Sequence, residues 1–154
     1  MAGLAASPIT VRPLRPNDHG AWLELFAGYI RFYEETVPDD VIALTWQRLL
    51  GDDAEMAGLV AQDGDGRVVG LVHAIFHRST WSPTWYCYLE DLFVAPAARG
   101  LGIGQALIEA TAELAKARGA TRLYWATKHD NATARRLYDR VAALTPFVQY
   151  SREI

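Results

Sequence analysis

Three strand-patterned runs follow one another in the middle of this 154-residue chain, and they restrict its fold more than any other feature. They are AGLVAQD (Ala57–Asp63), RVVGLVHAIFHR (Arg67–Arg78) and TWYCYLEDLFVA (Thr84–Ala95), rich in β-branched and aromatic residues. Gly64-Asp65-Gly66 separates the first two, a hairpin signal that sets them antiparallel. Upstream, ITVRPL (Ile9–Leu14) alternates as a first strand. Asn17 or Asp18 can cap the next segment, where Trp22, Leu25, Phe26, Tyr29, Ile30 and Tyr33 recur at helical spacing. Pro38–Leu50 has the pattern of a second helix. Downstream, a glycine-rich segment opens a helix with Ile103, Leu107, Ile108, Thr111 and Leu114 on one face, ending at Gly119. Thr121–Thr127 is strand-like, Asn131–Leu144 helical, and a last strand, FVQYSRE, follows Pro146. The order β-α-α-β-β-β-α-β-α-β predicts an α/β (α+β) fold, one mixed, mostly antiparallel sheet with helices on both faces.

Nothing in the chain divides it, so residues 9–154 are expected to form one domain behind a flexible tail at 1–8. A hydrophobic content of 51% suits a globular core, and a net charge of −3 argues against a general nucleic-acid binder. Cys87 is the single cysteine, which excludes an internal disulfide and a CxxC metal signature and fits a reducing cytosol. The start, MAGLAASPIT, lacks the basic and long apolar parts of a signal peptide. No apolar run approaches the roughly 20 residues of a membrane span. A cytoplasmic protein with no membrane or nucleic-acid partner is expected. His73 and His77 stand i,i+4 on a strand without a third ligand, so no metal is expected.

The chemistry lies in AARGLGIGQAL (Ala97–Leu107), which joins the strand ending near Ala95 to the helix after it. Gly100, Gly102 and Gly104 let the backbone take unusual dihedrals and approach a ligand. The helix N-terminus favours an anion, a pyrophosphate fits it, and Arg99 adds a cationic fork. Gln105 and Ala106 stand where a Walker loop needs Lys-Ser/Thr, and Gln105 replaces the third glycine of a dinucleotide fingerprint. By itself the segment also fits a turn that holds no ligand.

Arg99-Gly100-Leu101-Gly102-Ile103-Gly104 resembles the R/Q-x-x-G-x-G/A motif of the GCN5-related N-acetyltransferases, the GNAT family. The likeness extends to YLEDLFV on the preceding strand, to Asn131, Ala134, Leu137 and Tyr138 downstream, and to the order of elements. It implies the GNAT fold and acetyl-CoA as donor. Its pyrophosphate would lie on the amides of Arg99 to Gln105, Leu101 and Ile103 included. Its pantetheine arm would pair with the backbone of Leu92, Phe93 and Val94, with Asn131 also touching that arm and Ala134 permitting close approach.

Acetyl transfer to an amine poses two proton problems. A lysine-type amine, with an ordinary pKa of about 10.4, must lose a proton, and the departing thiolate must gain one. On a strand Tyr88, Glu90 and Leu92 share a face and Asp91 points to the other, so one acid faces the cleft. YLED resembles the polyamine acetyltransferases of the family, which implies Glu90 as the base, directly or through water. Asp91 is expected to be structural, paired with an arginine. Tyr138 stands two helical turns after Asn131 on the same face, at the position of the family's general acid.

For the acceptor, Tyr33, Glu34 and Glu35 end the first helix near the loop that covers the substrate in the family, and with Asp39 and Asp40 they make an acidic mouth. Trp85, beside Trp81 and Tyr86, is a further candidate for the acceptor pocket. YWATKHDNATARRLY and TPFVQYSRE look like the fungal subgroup that acetylates histones, polyamines or D-amino acids. A small primary amine, a polyamine or an amino acid, is the expected acceptor. A protein lysine of histone type, or an acyl-CoA sensor without catalysis, are the alternatives. DRVAALTPF lacks the glycine common in relatives, so its helix is expected to run on. A further strand common in relatives is missing, and an open sheet edge predicts a homodimer joined through C-terminal segments.

Overall fold

The structure, a computed structural model, describes residues 8–154. The expected tail at 1–8 therefore lies, Pro8 apart, outside the described residues. The elements are β1 (Thr10–Pro13), α1 (His19–Phe32), α2 (Asp39–Leu50), β2 (Met56–Gln62), β3 (Val68–His77), β4 (Trp85–Val94), α3 (Ile103–Ala117), β5 (Ala120–Tyr124) and α4 (Ala132–Val141). No helix among the described residues is long and apolar enough to cross a membrane.

The strands form one sheet in the order β1-β2-β3-β4-β5. The first four pair antiparallel and β5 joins β4 in parallel. Helices cover both faces. Trp22, Leu25 and Phe26 of α1 and Leu49 of α2 bury against Val60, Leu71 and Phe93. Ile103, Leu107 and Ile108 of α3 bury against Leu59, Ala61, Val72 and Leu89 on the other face. Each such side chain taken from water contributes about 1.5–3 kcal/mol. Asp18 precedes α1 but does not cap it with its side chain. Its carboxylate instead accepts both Nη groups of Arg12, at 2.8 and 2.9 Å, and the Arg15 amide at 2.7 Å, which ties β1 to the start of α1. Gly119 ends α3 as expected, at φ +81° with its amide on the Lys116 carbonyl.

Two features depart from the sequence expectation and both bear on function. In the β3–β4 ladder His73 stands opposite Asp91 and Ala74 opposite Leu89, so Glu90 has no partner and forms a bulge. The extra residue reverses the alternation along β4. Cys87 and Leu89 face α3, and after the bulge Leu92 and Val94 face α3 while Phe93 turns toward α1. Asp91 consequently does not point away from Glu90. The second departure is at the C-terminus. The helix does not run on to Leu144: α4 ends at Val141, with Ala142 extended. The expected last strand is absent, and residues 142–154 carry neither helix nor strand and are exposed throughout. Phe147–Glu153 pair with no strand among the described residues.

Candidate active site

The glycine turn has the backbone its sequence demands. Gly100 and Gly102 take φ of +82° and +78°, and a Cβ on either would meet nothing within 4 Å. Both are needed for their dihedrals, and the space beside them is open to a ligand. Gly104 differs: it is an ordinary helical position, and a Cβ there would meet Leu137 Cδ2 of α4 at 3.4 Å, van der Waals contact. The amides of Ile103, Gly104 and Gln105 head α3, where a helix has no internal acceptors to offer. Arg99 Nε donates to the Val94 carbonyl at 3.1 Å, its guanidinium standing 5.4 Å from the Phe93 ring centre. This anchors the arginine beside the turn.

Next to the turn the sheet splits. β4 and β5 pair only from Trp85↔Ala120 to Tyr88↔Tyr124. From Leu89 to Val94 the outer edge of β4 is unmatched by any strand among the described residues. Backbone groups of Leu92, Phe93 and Val94 therefore border a wedge that ends at the head of α3. On its far side, Asn131 caps α4, its Oδ1 accepting from the Ala134 amide at 3.4 Å and its Nδ2 donating to Thr127 Oγ1 at 3.3 Å. Ala134 and Tyr138 follow on α4, both half-buried. The Tyr138 ring meets Trp125 edge-on at 5.5 Å, and burial pushes its hydroxyl up to about 12. Unpaired strand edge, free helix-head amides and open-sided glycines together suit a long ligand with an anionic end and an amide-bearing arm, the outline of acetyl-CoA.

A cavity of about 390 Å³ opens on the other side of β4. Glu90 and Asp91 both line it, because the bulge turns both inward. Phe26, Tyr29 and Tyr33 supply aromatic walls, and Glu35 and Lys128 add one charge of each sign. Lys128 Nζ sits 5.4 Å from the Tyr33 ring centre. Glu90 is held above the usual glutamate range, by burial first and then by the Asp91 charge. Burial and then Asp91 also push the Tyr29 hydroxyl up. Tyr29 Oη donates to the Glu90 carbonyl at 3.3 Å, which secures the bulge. Tyr138 does not line this cavity; Tyr33 is the neighbour whose charge acts on it.

The expected partner of Asp91, an arginine, is replaced by His73, whose Nδ1 lies 2.8 Å from Asp91 Oδ2. His77 is apart from this pair, with Nε2 at 2.7 Å from Tyr124 Oη. Two expected acceptor residues lie elsewhere. Trp85 borders a separate depression near Leu49 and Leu114, with Arg78 stacked 4.1 Å over its ring. Glu34, in the left-handed region at φ +55°, is exposed and does not line the cavity. In the sequence Tyr29 stands only as a helix core residue and His73 only as one of a metal-free pair, and nothing marks Lys128. Tyr29 carried a signal, its place one turn before Tyr33 on the apolar face of α1; Lys128 carried none, since a lysine in a loop is ordinarily solvated.

Comparison with known proteins gives the family and the fold. The model of the acetyltransferase (GNAT) family matches residues 22–143. The D-amino-acid N-acetyltransferase of Saccharomyces cerevisiae is 33% identical over 145 residues, covering 94% of this chain and 90% of that protein. A thialysine N-epsilon-acetyltransferase of Caenorhabditis elegans is 41% identical over 84 residues, 54% of this chain and 51% of that protein. Among solved structures, an aminoglycoside N-acetyltransferase in complex with CoA shares the fold at a TM-score of 0.82 and 19% identity, covering 98% of each chain.

Proposed function

Because the chain belongs to the GNAT family and is an N-acetyltransferase, we propose that it acetylates the amino group of a small, zwitterionic, amino-acid-like acceptor. The observation that carries this is the lining of the cavity beside β4. Glu35, Glu90 and Asp91 offer negative charge to an ammonium, while Lys128 offers positive charge to a carboxylate. A polyamine would find no use for that lysine. Phe26, Tyr29 and Tyr33 suit the apolar side chain of an amino acid. The relative that acts on D-amino acids supports the same class.

Acetyl-CoA, when bound, supplies the acetyl thioester. Residues Arg99 to Gln105 would hold its pyrophosphate, and the edge of β4 from Leu92 to Val94, with Asn131 and Ala134, its arm. Glu90 takes the proton of the incoming ammonium, directly or through water. Its raised proton affinity, from burial and Asp91, suits a base working near neutral pH. The amine then attacks the carbonyl carbon, and the C–S bond breaks as the C–N bond forms. Tyr138, protonated at neutral pH because burial holds its hydroxyl near 12, provides the proton for the leaving sulfur, and the second proton of the attacking nitrogen restores the Tyr138 hydroxyl, directly or through water. Cys87 takes no part: it is fully buried and its thiol is pushed up to about 11, so little nucleophilic thiolate exists. In this reading the protein works in the cytosol.

A thiol-release assay across D- and L-amino acids, polyamines, an aminoglycoside and a histone peptide tests the proposal. Amino acids are expected to give the highest kcat/KM, and Lys128→Met to raise KM for an amino acid but not for the matching amine without a carboxylate. Faster turnover of a polyamine or the peptide would overturn the acceptor class. Acetyl-CoA binding without turnover of any amine would point to a sensor.

We further propose a homodimer joined through the C-terminal segments. Phe147 and Tyr150 stand 85% and 93% exposed, and β5 leaves its outer edge open. Exposed apolar side chains spaced along an extended segment suit a second copy of the chain.

A further inference from the structure

Beneath the acceptor cavity lies a chain of three side chains that the proposed mechanism does not use. Trp22 is fully buried, and His73 is 1% exposed. Trp22 Nε1 donates to His73 Nε2 at 2.9 Å, and His73 Nδ1 lies 2.8 Å from Asp91 Oδ2. An indole nitrogen can only donate. His73 Nε2 therefore accepts, and the single proton of the ring sits on Nδ1, donated to Asp91. A second proton on Nε2 would face the indole N–H donor to donor.

Asp91 feels the consequence. A neutral donor orients its carboxylate without cancelling the charge, whereas an imidazolium would cancel it. The bulge then presents that charge to the cavity that Glu90 lines. We propose that Trp22 and His73 are positioning residues for the transfer reaction: the indole locks His73 neutral, and the neutral imidazole holds Asp91 as an uncancelled negative charge beside Glu90. This rests on Glu90 being the base. The other ionisable groups around the cavity are Tyr88 of β4, Tyr29 of α1, Tyr33 and Glu35 after it, and Lys128 beyond β5. His19 stacks on the far side of Trp22, with ring centres 6.2 Å apart. Lys128 is the one cation lining the cavity among the described residues, and it lies over Tyr33 rather than against Asp91.

The test is the pH profile of kcat/KM for three variants, with imidazole nitrogen shifts read by NMR. Trp22→Phe frees Nε2, His73 takes a second proton, and the acidic limb moves to lower pH by about half a unit or more. Asp91→Asn removes the charge and moves the limb the same way. His73→Gln accepts from Trp22 and donates to Asp91 without ever ionising, so its limb stays in place. In the wild type at neutral pH the His73 signals are those of the Nδ1–H neutral form; in Trp22→Phe they include the imidazolium. A purely structural chain would lower activity and thermal stability in Trp22→Phe without moving its limb, and that result overturns the inference. So does a wild-type His73 that is imidazolium or Nε2–H at neutral pH. Should Trp22→Phe fail to fold, the contrast of Asp91→Asn with His73→Gln decides the matter. If no amine is turned over, the reaction proposed above fails, and the wild-type tautomer still decides whether the lock exists.

Discussion

In the proposed mechanism Glu90 and Tyr138 are asked for opposite services with a proton, and burial prepares both. A buried carboxyl gives up its proton reluctantly, and so does a buried phenol. The first becomes a base strong enough to matter near neutral pH, and the second keeps its proton until a thiolate calls for it. As the proposed base Glu90 must be ionised, so kcat/KM is expected to rise with pH as the carboxyl, held above its usual range, loses its proton. Glu90→Gln is expected to lower kcat/KM by about a hundredfold and to remove that rise. Tyr138→Phe is expected to lower kcat by a similar factor of about a hundred while calorimetry finds acetyl-CoA affinity unchanged. The residue types were legible in the sequence, YLED and the Asn131–Tyr138 spacing among them. Their company was not. That Asp91 answers to His73 and His73 to Trp22 depends on an α1 residue lying 51 positions from its partner.

Among the elements, β4 and the start of α3 carry the site, and each exposes a limit of pattern reading. The ends of β4 fell within a residue of expectation, because aromatic and β-branched residues mark a strand well. The bulge at Glu90 was hidden, since period-two alternation assumes an unbroken pleat. The glycines of the turn were found as a group but not told apart. Gly102 holds φ +78°, which costs an L-residue about 1–2 kcal/mol, whereas Gly104 is an ordinary helical position with room beside Leu137. Gly102→Ala is therefore expected to raise KM for acetyl-CoA, with a lower thermal midpoint, as the helix-head amides swing away. Gly104→Ala should leave the midpoint unchanged or higher. Steady-state kinetics beside thermal unfolding separate the two.

For the molecule as a whole, the order of elements, the mixed sheet and the helices on both faces were readable, but the C-terminus was not, because FVQYSRE has strand composition yet pairs with no strand among the described residues. The proposed dimer gives that segment a use. Removing residues 147–154 is expected to convert a dimer into a monomer by light scattering, and a full-length monomer at micromolar concentration would refute the dimer. Stability also carries an acid dependence. Hydrogen bonds from Arg12 hold the Asp18 carboxyl below the usual aspartate range. The folded protein thus takes up this proton later than the unfolded chain, so the stabilisation is present above the usual range and lost as pH falls through the folded value. Asp18→Asn should melt lower than wild type at pH 7, and the gap should close toward pH 3.

The split between β4 and β5 has a thermodynamic corollary. A sheet that stops pairing at Tyr88 is an unfinished ladder, and a donor substrate whose arm carries amides can serve as the missing rung. The protein should then be most cooperative when loaded. At a hundred times its dissociation constant such a ligand adds about 2.7 kcal/mol to stability. Deuterium exchange should slow selectively in residues 89–95 and 99–106 on adding acetyl-CoA, with little change in β1 or β2. Substrate here would be a temporary part of the architecture, and turnover a cycle of completing and reopening the sheet.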